Sequence, residues 1–166
     1  DGATMGASLP RRSLHMTLPD PLWGLPDPDT APEFYSDVPM KRLFAWIIDC
    51  VLIFLISVLV VPLTAFTGIF FFALIYIAVA LAYRIVTIAR YSATPGMLLT
   101  AIELRRSDGS RFDALTAALH TVLYVFFTTV FVLQVASVVL MLVSARGQGL
   151  HDMLLGTTAL NKSRSF

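Results

Sequence analysis

An aspartate inside an otherwise apolar run is the most informative residue of this sequence. Asp49 lies about two helical turns into the stretch 43–66, roughly 10 Å deep if that stretch is a helix. An ionised carboxylate at the centre of a membrane helix costs roughly 3 kcal/mol on insertion scales, so Asp49 should face protein or water rather than lipid. Arg42 stands seven residues earlier on the same helical face, so both side chains are expected to look to the same neighbour. Arg84, in the next apolar run, reaches a comparable depth in an antiparallel helix and is the expected direct partner of Asp49. Two chemistries stay open: a structural ion pair that fixes helix register, which is preferred, or a protonatable ion site. One carboxylate without a second is a poor cation cage.

The second chemical pair is His151 and Asp152. Neighbouring side chains on a helix diverge by about 100°, so these two do not face one another as a catalytic pair would. There is no nucleophile motif, Walker loop, dinucleotide fingerprint or HExxH, and an enzyme is not expected. The preferred role is capping and anchoring, with Asp152 bonding Arg42 or a helix N-terminus. Metal binding through His120, His151 and Asp152 is the lesser reading, and no metal or cofactor is expected. Cys50, the single cysteine, reads as a small buried hydrophobe.

The elements that must position these groups follow from composition. The chain has 166 residues, 57% of them hydrophobic and 14% charged, with mean hydropathy +0.76. Soluble domains carry about 25% charged residues, so an ordinary soluble globule, a disordered chain and a coiled coil are all excluded. Twelve Lys and Arg against eleven Asp and Glu argue against a nucleic-acid binder. The expected class is an all-α membrane protein. Stretches 43–66 and 69–89 are each long enough to cross a bilayer, and the minimal break at Thr67 and Gly68 makes them a tight hairpin. Pro62 should kink or end the first helix. Lys41 and Arg42 precede the pair, and Arg90, Arg105, Arg106 and Arg111 follow it. The positive-inside rule therefore places the N-terminus and residues 90–113 in the cytoplasm.

A third apolar stretch, 114–143, has no formal charge. One crossing would carry the basic tail (Arg146, Lys162, Arg164) outside. Two short helices breaking near Leu133 and Gln134, dipping into the membrane as a hairpin, would return it to the cytoplasm and are preferred. Residues 97–104, ending at the turn Ser107-Asp108-Gly109, and residues 157–161 could then pair as a small cytoplasmic sheet.

Before all this lies an acidic, Pro-rich arm, residues 1–38, with LPDP repeated at 18–21 and 25–28. Residues 1–15 read as an upstream extension with Met16 the natural start, and Arg11-Arg12 without an apolar h-region is not a signal peptide. Proline at this density favours extended backbone. The arm is either a solvated tail or a docking segment anchored by Trp23, Phe34 and Tyr35. The membrane domain is expected over 39–161, with a short tail at 162–166.

The segment ARGQGLHDMLLGT at 145–157, taken with Arg42 and Asp49, resembles the RDD family of small integral membrane proteins. The resemblance implies that Arg42, Asp49 and Asp152 are the arginine and two aspartates of the family's name. Gly149, His151, Asp152 and Gly156 would form the closing motif. Ser92–Gly96, leading into Met97–Leu104, is similar to the family's Thr-x-Gly segment before a cytoplasmic strand. Met97 stands where the family pattern suggests Lys, and His120 where Arg is common. Both departures remove fixed positive charge and weaken a mechanism built on an anion or headgroup site. The family is linked to membrane transport, including cation/proton exchange. The expectation here is an accessory, stabilising or assembly subunit of a larger complex in the bacterial inner membrane, because two full spans are few for a repeat-built transporter. The alternative is a homo-oligomeric cation/proton or small-solute carrier built around copies of Asp49.

Overall fold

A computed structural model of the chain describes residues 24–162. It is mostly helical. Helix α1 spans Val38–Leu63, and a loop carrying a short 3-10 turn at Thr67–Ile69 leads into α2, Phe72–Tyr91. The connection is wider than the two-residue break read from the sequence. Pro62 sits in the last turn of α1, and the chain turns as Thr64 Oγ1 donates to Val61 O and accepts from Gly68 N at 2.9 Å.

Helix α1 is built inside out. Its buried stripe is Val38, Arg42, Ala45, Asp49, Ile53, Ser57 and Val61, one face at three- and four-residue spacing. Its large apolar residues, Phe44, Trp46, Phe54 and Leu59 among them, are exposed. A helix folding in water puts its apolar stripe inward. Here Arg42, Asp49 and Ser57 share the buried stripe with Val38, Ala45, Ile53 and Val61, and many large apolar side chains of α1 and α2 point outward. Both helices are long and apolar enough to cross a membrane.

The third apolar stretch is two helices, α4 at Ala114–Thr129 and, after α3 and β1 described next, α5 at Phe131–Val143. They meet at 114°. The break falls at Val130, in extended backbone, rather than at Leu133–Gln134. The run Thr128-Thr129-Val130 explains the shift. Three β-branched side chains weaken the helix there, and Thr129 Oγ1 turns back to donate to Val125 O at 2.8 Å.

Between α2 and α4 lie the short helix α3, Pro95–Leu99, and strand β1, Ile102–Arg106. Residues 97–99, expected as strand, are helical because Thr94 caps and Pro95 opens a helix: Met97 N donates to Thr94 Oγ1. After α5 come α6, Leu150–Leu155, and β2, Thr157–Asn161. The strands pair antiparallel, Ile102 opposite Asn161 and Arg106 opposite Thr157. This pairing brings the two flanks of the bent pair α4–α5 to one end of the molecule, as the hairpin reading requires. The apolar core sits at that end, where Val38, Ile88, Met97, Ile102, Leu104 and Phe112 pack together.

The described end of the arm, residues 24–37, folds onto this end of the molecule. Tyr35 is buried and donates to Pro26 O at 2.6 Å, and Asn161 Nδ2 donates to Glu33 O and Ser36 O. Phe34 is half-buried. Within this segment Tyr35 is an internal anchor, because its ring is buried and its hydroxyl closes a turn. Trp23 lies outside the described residues.

Candidate functional site

The polar interior resolves into two knots with a cleft beside them. The first is centred on Asp49, 1% exposed. Its Oδ1 accepts from Tyr83 OH at 2.7 Å and from Gly96 N at 2.9 Å, and its Oδ2 accepts from Thr94 Oγ1 at 2.5 Å. Three elements therefore close on one carboxylate: α1 supplies it, α2 brings Tyr83, and the α3 N-terminus brings a capping hydroxyl and a backbone N–H. Gly96 is required by this contact. A Cβ there would lie 2.3 Å from Ala45 O and 2.8 Å from Asp49 Oδ1.

Arg84 is not the partner of Asp49, contrary to expectation. Its guanidinium stacks over the Tyr124 ring, 4.3 Å from the centroid. Neutral donors at the α3 N-terminus reach the carboxylate first, and the cation turns instead toward α4. Arg42 and Asp49 also do not share a neighbour, since Arg42 reaches α6.

The second knot is centred on Asp152, fully buried. Arg42 Nη1 donates to Oδ2 at 2.6 Å and to Gly147 O at 3.2 Å. Gly149 N donates to Oδ2 at 3.1 Å, Thr157 Oγ1 to Oδ1 at 3.3 Å, and His120 Nε2 lies 3.1 Å from Oδ1. An ionised carboxylate only accepts, so His120 carries its hydrogen on Nε2. His151 Nε2 faces Arg42 Nη2, a donor, at 3.4 Å, which assigns it the acceptor role. Burial works to raise the Asp152 carboxyl, but the Arg42 guanidinium and the hydrogen bond from His120 overcome it and hold the group well below its ordinary range. Burial pushes His151 down to about 4, only partly offset by Asp152. The knot is thus an ionised pair, Arg42 with Asp152, beside a neutral His151.

Two glycines of the closing motif have separate jobs. At Gly149 a Cβ would meet Ser137 Oγ at 2.6 Å, and that same hydroxyl accepts from Leu150 N, tying α6 to α5. Gly156 ends α6 at φ +60°, the left-handed position that favours glycine.

His120, His151 and Asp152 place their ligand atoms within 4.8 Å of one another. A zinc ion would need each at about 2.0–2.2 Å. It would have to expel the Arg42 guanidinium from Asp152 and strip the Nε2 hydrogen from His120. Both oxygens of Asp152 are held by internal donors and His151 Nε2 faces the Arg42 guanidinium; His120 Nδ1 alone of the three residues is buried without a partner, and one free nitrogen does not make a resident metal site.

Beside the knots a cleft of about 430 Å³ runs between α1, α4 and α5. Arg42, Asp49, Arg84, His120 and His151 line it, together with apolar side chains such as Leu43, Trp46, Val138 and Leu142. Tyr83, Thr94, Ser137, Tyr124 and Thr157 were not singled out as site residues from sequence. Ser92–Gly96 reads in the sequence as a segment leading into a strand, and nothing in its spacing says that the Thr94 hydroxyl reaches Asp49.

No curated protein and no solved structure matches the chain. The RDD family model matches residues 38–156, from the first residue of α1 to the glycine that ends α6. With both ends of that match holding the Arg42–Asp152 pair, the chain belongs to the RDD family.

Proposed function

We propose that this chain is a small multi-pass membrane protein acting as an accessory, stabilising or assembly subunit of a larger membrane complex. Its N-terminus and basic tail lie on the cytoplasmic side of the bacterial inner membrane. The burial of α1 supports the membrane placement, since its exposed face carries large hydrocarbon side chains while Arg42, Asp49 and Ser57 lie on its buried face. The shared end of β1 and β2 supports a re-entrant α4–α5 hairpin.

The observation that carries the accessory role is the engagement of both buried carboxylates. Asp49 accepts three hydrogen bonds and Asp152 accepts four or is ion-paired at every oxygen. A cation/proton carrier needs an acidic group that exchanges its partner during each cycle. Donors from two elements hold Asp49 and donors from four hold Asp152, which makes the two carboxylates structural fasteners. The working surface is then the broad apolar exterior.

Purification of the native protein in a membrane-excising polymer tests this. Unrelated membrane subunits recovered at fixed stoichiometry support the reading. A symmetric homo-oligomer that exchanges cations for protons in liposomes, with Asp49→Asn abolishing exchange but not folding, overturns it in favour of a carrier. Reporters fused at Asp108 and after Phe166 should both be cytoplasmic.

A further inference from the structure

Among the buried charged groups described, Arg84 stands apart. Arg42, Asp49, Glu103 and Asp152 each hold a hydrogen-bonded partner. Arg84 is 8% exposed, yet among the described residues its guanidinium makes no ion pair and no side-chain hydrogen bond. The Tyr124 ring covers one face and leaves the in-plane N–H groups of the fork unspent. With no internal acceptor, the fork is open to the cleft, and a phosphate or carboxylate meets such a fork with two parallel bonds. Arg84 lines the cleft, so an acceptor can reach it.

We infer that the cleft is a binding site for the anionic headgroup of a membrane lipid, seated on Arg84. The inference rests on the membrane reading above. The flank of the cleft chooses the source of the anion. Leu43, Trp46, Val138 and Leu142 line it and are 48%, 46%, 42% and 67% exposed, so acyl chains continue naturally from the charged floor onto the outer surface. A soluble anion would find no such continuation. The floor also selects headgroup charge. The Asp49 and Asp152 carboxylates are occupied by internal donors and offer no seat to the ammonium of a zwitterionic lipid. Met97 and His120, which line the same cleft, add no fixed positive charge, so the site suits a single negative charge.

Trp46 provides the readout. The chain has two tryptophans, so in a Trp23→Phe background Trp46 alone reports on the cleft. The full chain is reconstituted in vesicles in which brominated phosphatidylglycerol or brominated phosphatidylcholine replaces the unlabelled lipid. Brominated phosphatidylglycerol should quench at about tenfold lower mole fraction, a 1.4 kcal/mol preference. The preference should persist in 1 M NaCl, where screening acts beyond about 3 Å and exposed basic residues no longer attract lipid. Arg84→Gln should equalise the two lipids, and Arg84→Lys should keep part of the preference. Leu142→Glu sets a repelling carboxylate at an exposed rim position and should equalise them even if Arg84→Gln fails to fold. Equal quenching in the parent, or an unchanged preference in both Arg84→Gln and Leu142→Glu, overturns the site. Reversal by millimolar inorganic phosphate overturns the lipid source and makes the ligand a soluble anion. Failure of the chain to float with vesicles overturns the membrane reading, and the lipid ligand falls with it.

Discussion

Acidification should loosen this protein through His151, and the size of the effect can be worked out in advance. The imidazole is buried in the Asp152 knot, and burial lowers its proton affinity from the ordinary 6.5 to about 4. The unfolded chain therefore binds a proton at His151 at a higher pH than the folded chain does. Stability is full above about 6.5 and falls as the pH drops toward 4. Each unit of that window is worth about 1.4 kcal/mol, so moving from pH 6.5 to 5 removes about 2 kcal/mol. Below about 4 the His151 contribution is spent, and the depressed Asp152 carboxyl carries the loss on in the same direction. Unfolding of the purified chain in mixed micelles, followed by Trp46 fluorescence and circular dichroism at pH 7, 6 and 5, measures this. His151→Gln should flatten the profile between pH 6.5 and 5. A flat profile in the parent refutes the reasoning. A slope that survives His151→Gln transfers the titration to another group.

Asp152→Asn should cost about 3–5 kcal/mol because it strands the Arg42 guanidinium inside the fold, while Arg42→Met with Asp152→Leu should recover most of it; a double-mutant cycle in denaturant measures the coupling. Gly96→Ala should lower the midpoint of thermal unfolding by several degrees, since its Cβ collides with backbone oxygen at 2.3 Å and α3 must back away from Asp49. Asp49→Leu should reduce the folded yield sharply, and adding Arg84→Met should not restore it, because the two residues are not an ion pair; recovery in the double variant would reinstate the pairing.

Much of the architecture was legible because hydropathy and charge are strongly segregated along the chain. The two long helices, the bent third stretch and the strand pair at 157–161 all follow from run length and basic flanks. The pairing of Arg42 with Asp152 or a helix N-terminus was within reach from motif spacing, and the structure makes both bonds at once. What stayed hidden was the partner of Asp49. Sequence reasoning matched it to the nearest opposite charge at equal depth, yet a carboxylate is satisfied equally by neutral donors. A threonine hydroxyl, a tyrosine and a backbone N–H leave no charge pattern to read. The position of the α4–α5 break was missed for a similar reason, since no glycine or proline marks it and the weakness lies in three β-branched residues. Tyr35 was taken for an outward anchor because aromatic residues in a proline-rich arm give no sign of which way they turn.

The Arg42–Asp152 bond also sets the order in which the chain is able to mature. The two residues are separated by 110 positions. At a synthesis rate of about 5–20 residues per second, Arg42 waits roughly 5–20 s after emerging before its carboxylate exists. The β1–β2 ladder closes later still, with Asn161 opposite Ile102. During that interval the first two helices can form, but the buried Arg42 guanidinium has no counter-charge until residue 152 has been made. A chain interrupted before residue 152 is left with an unmatched cation at the start of α1.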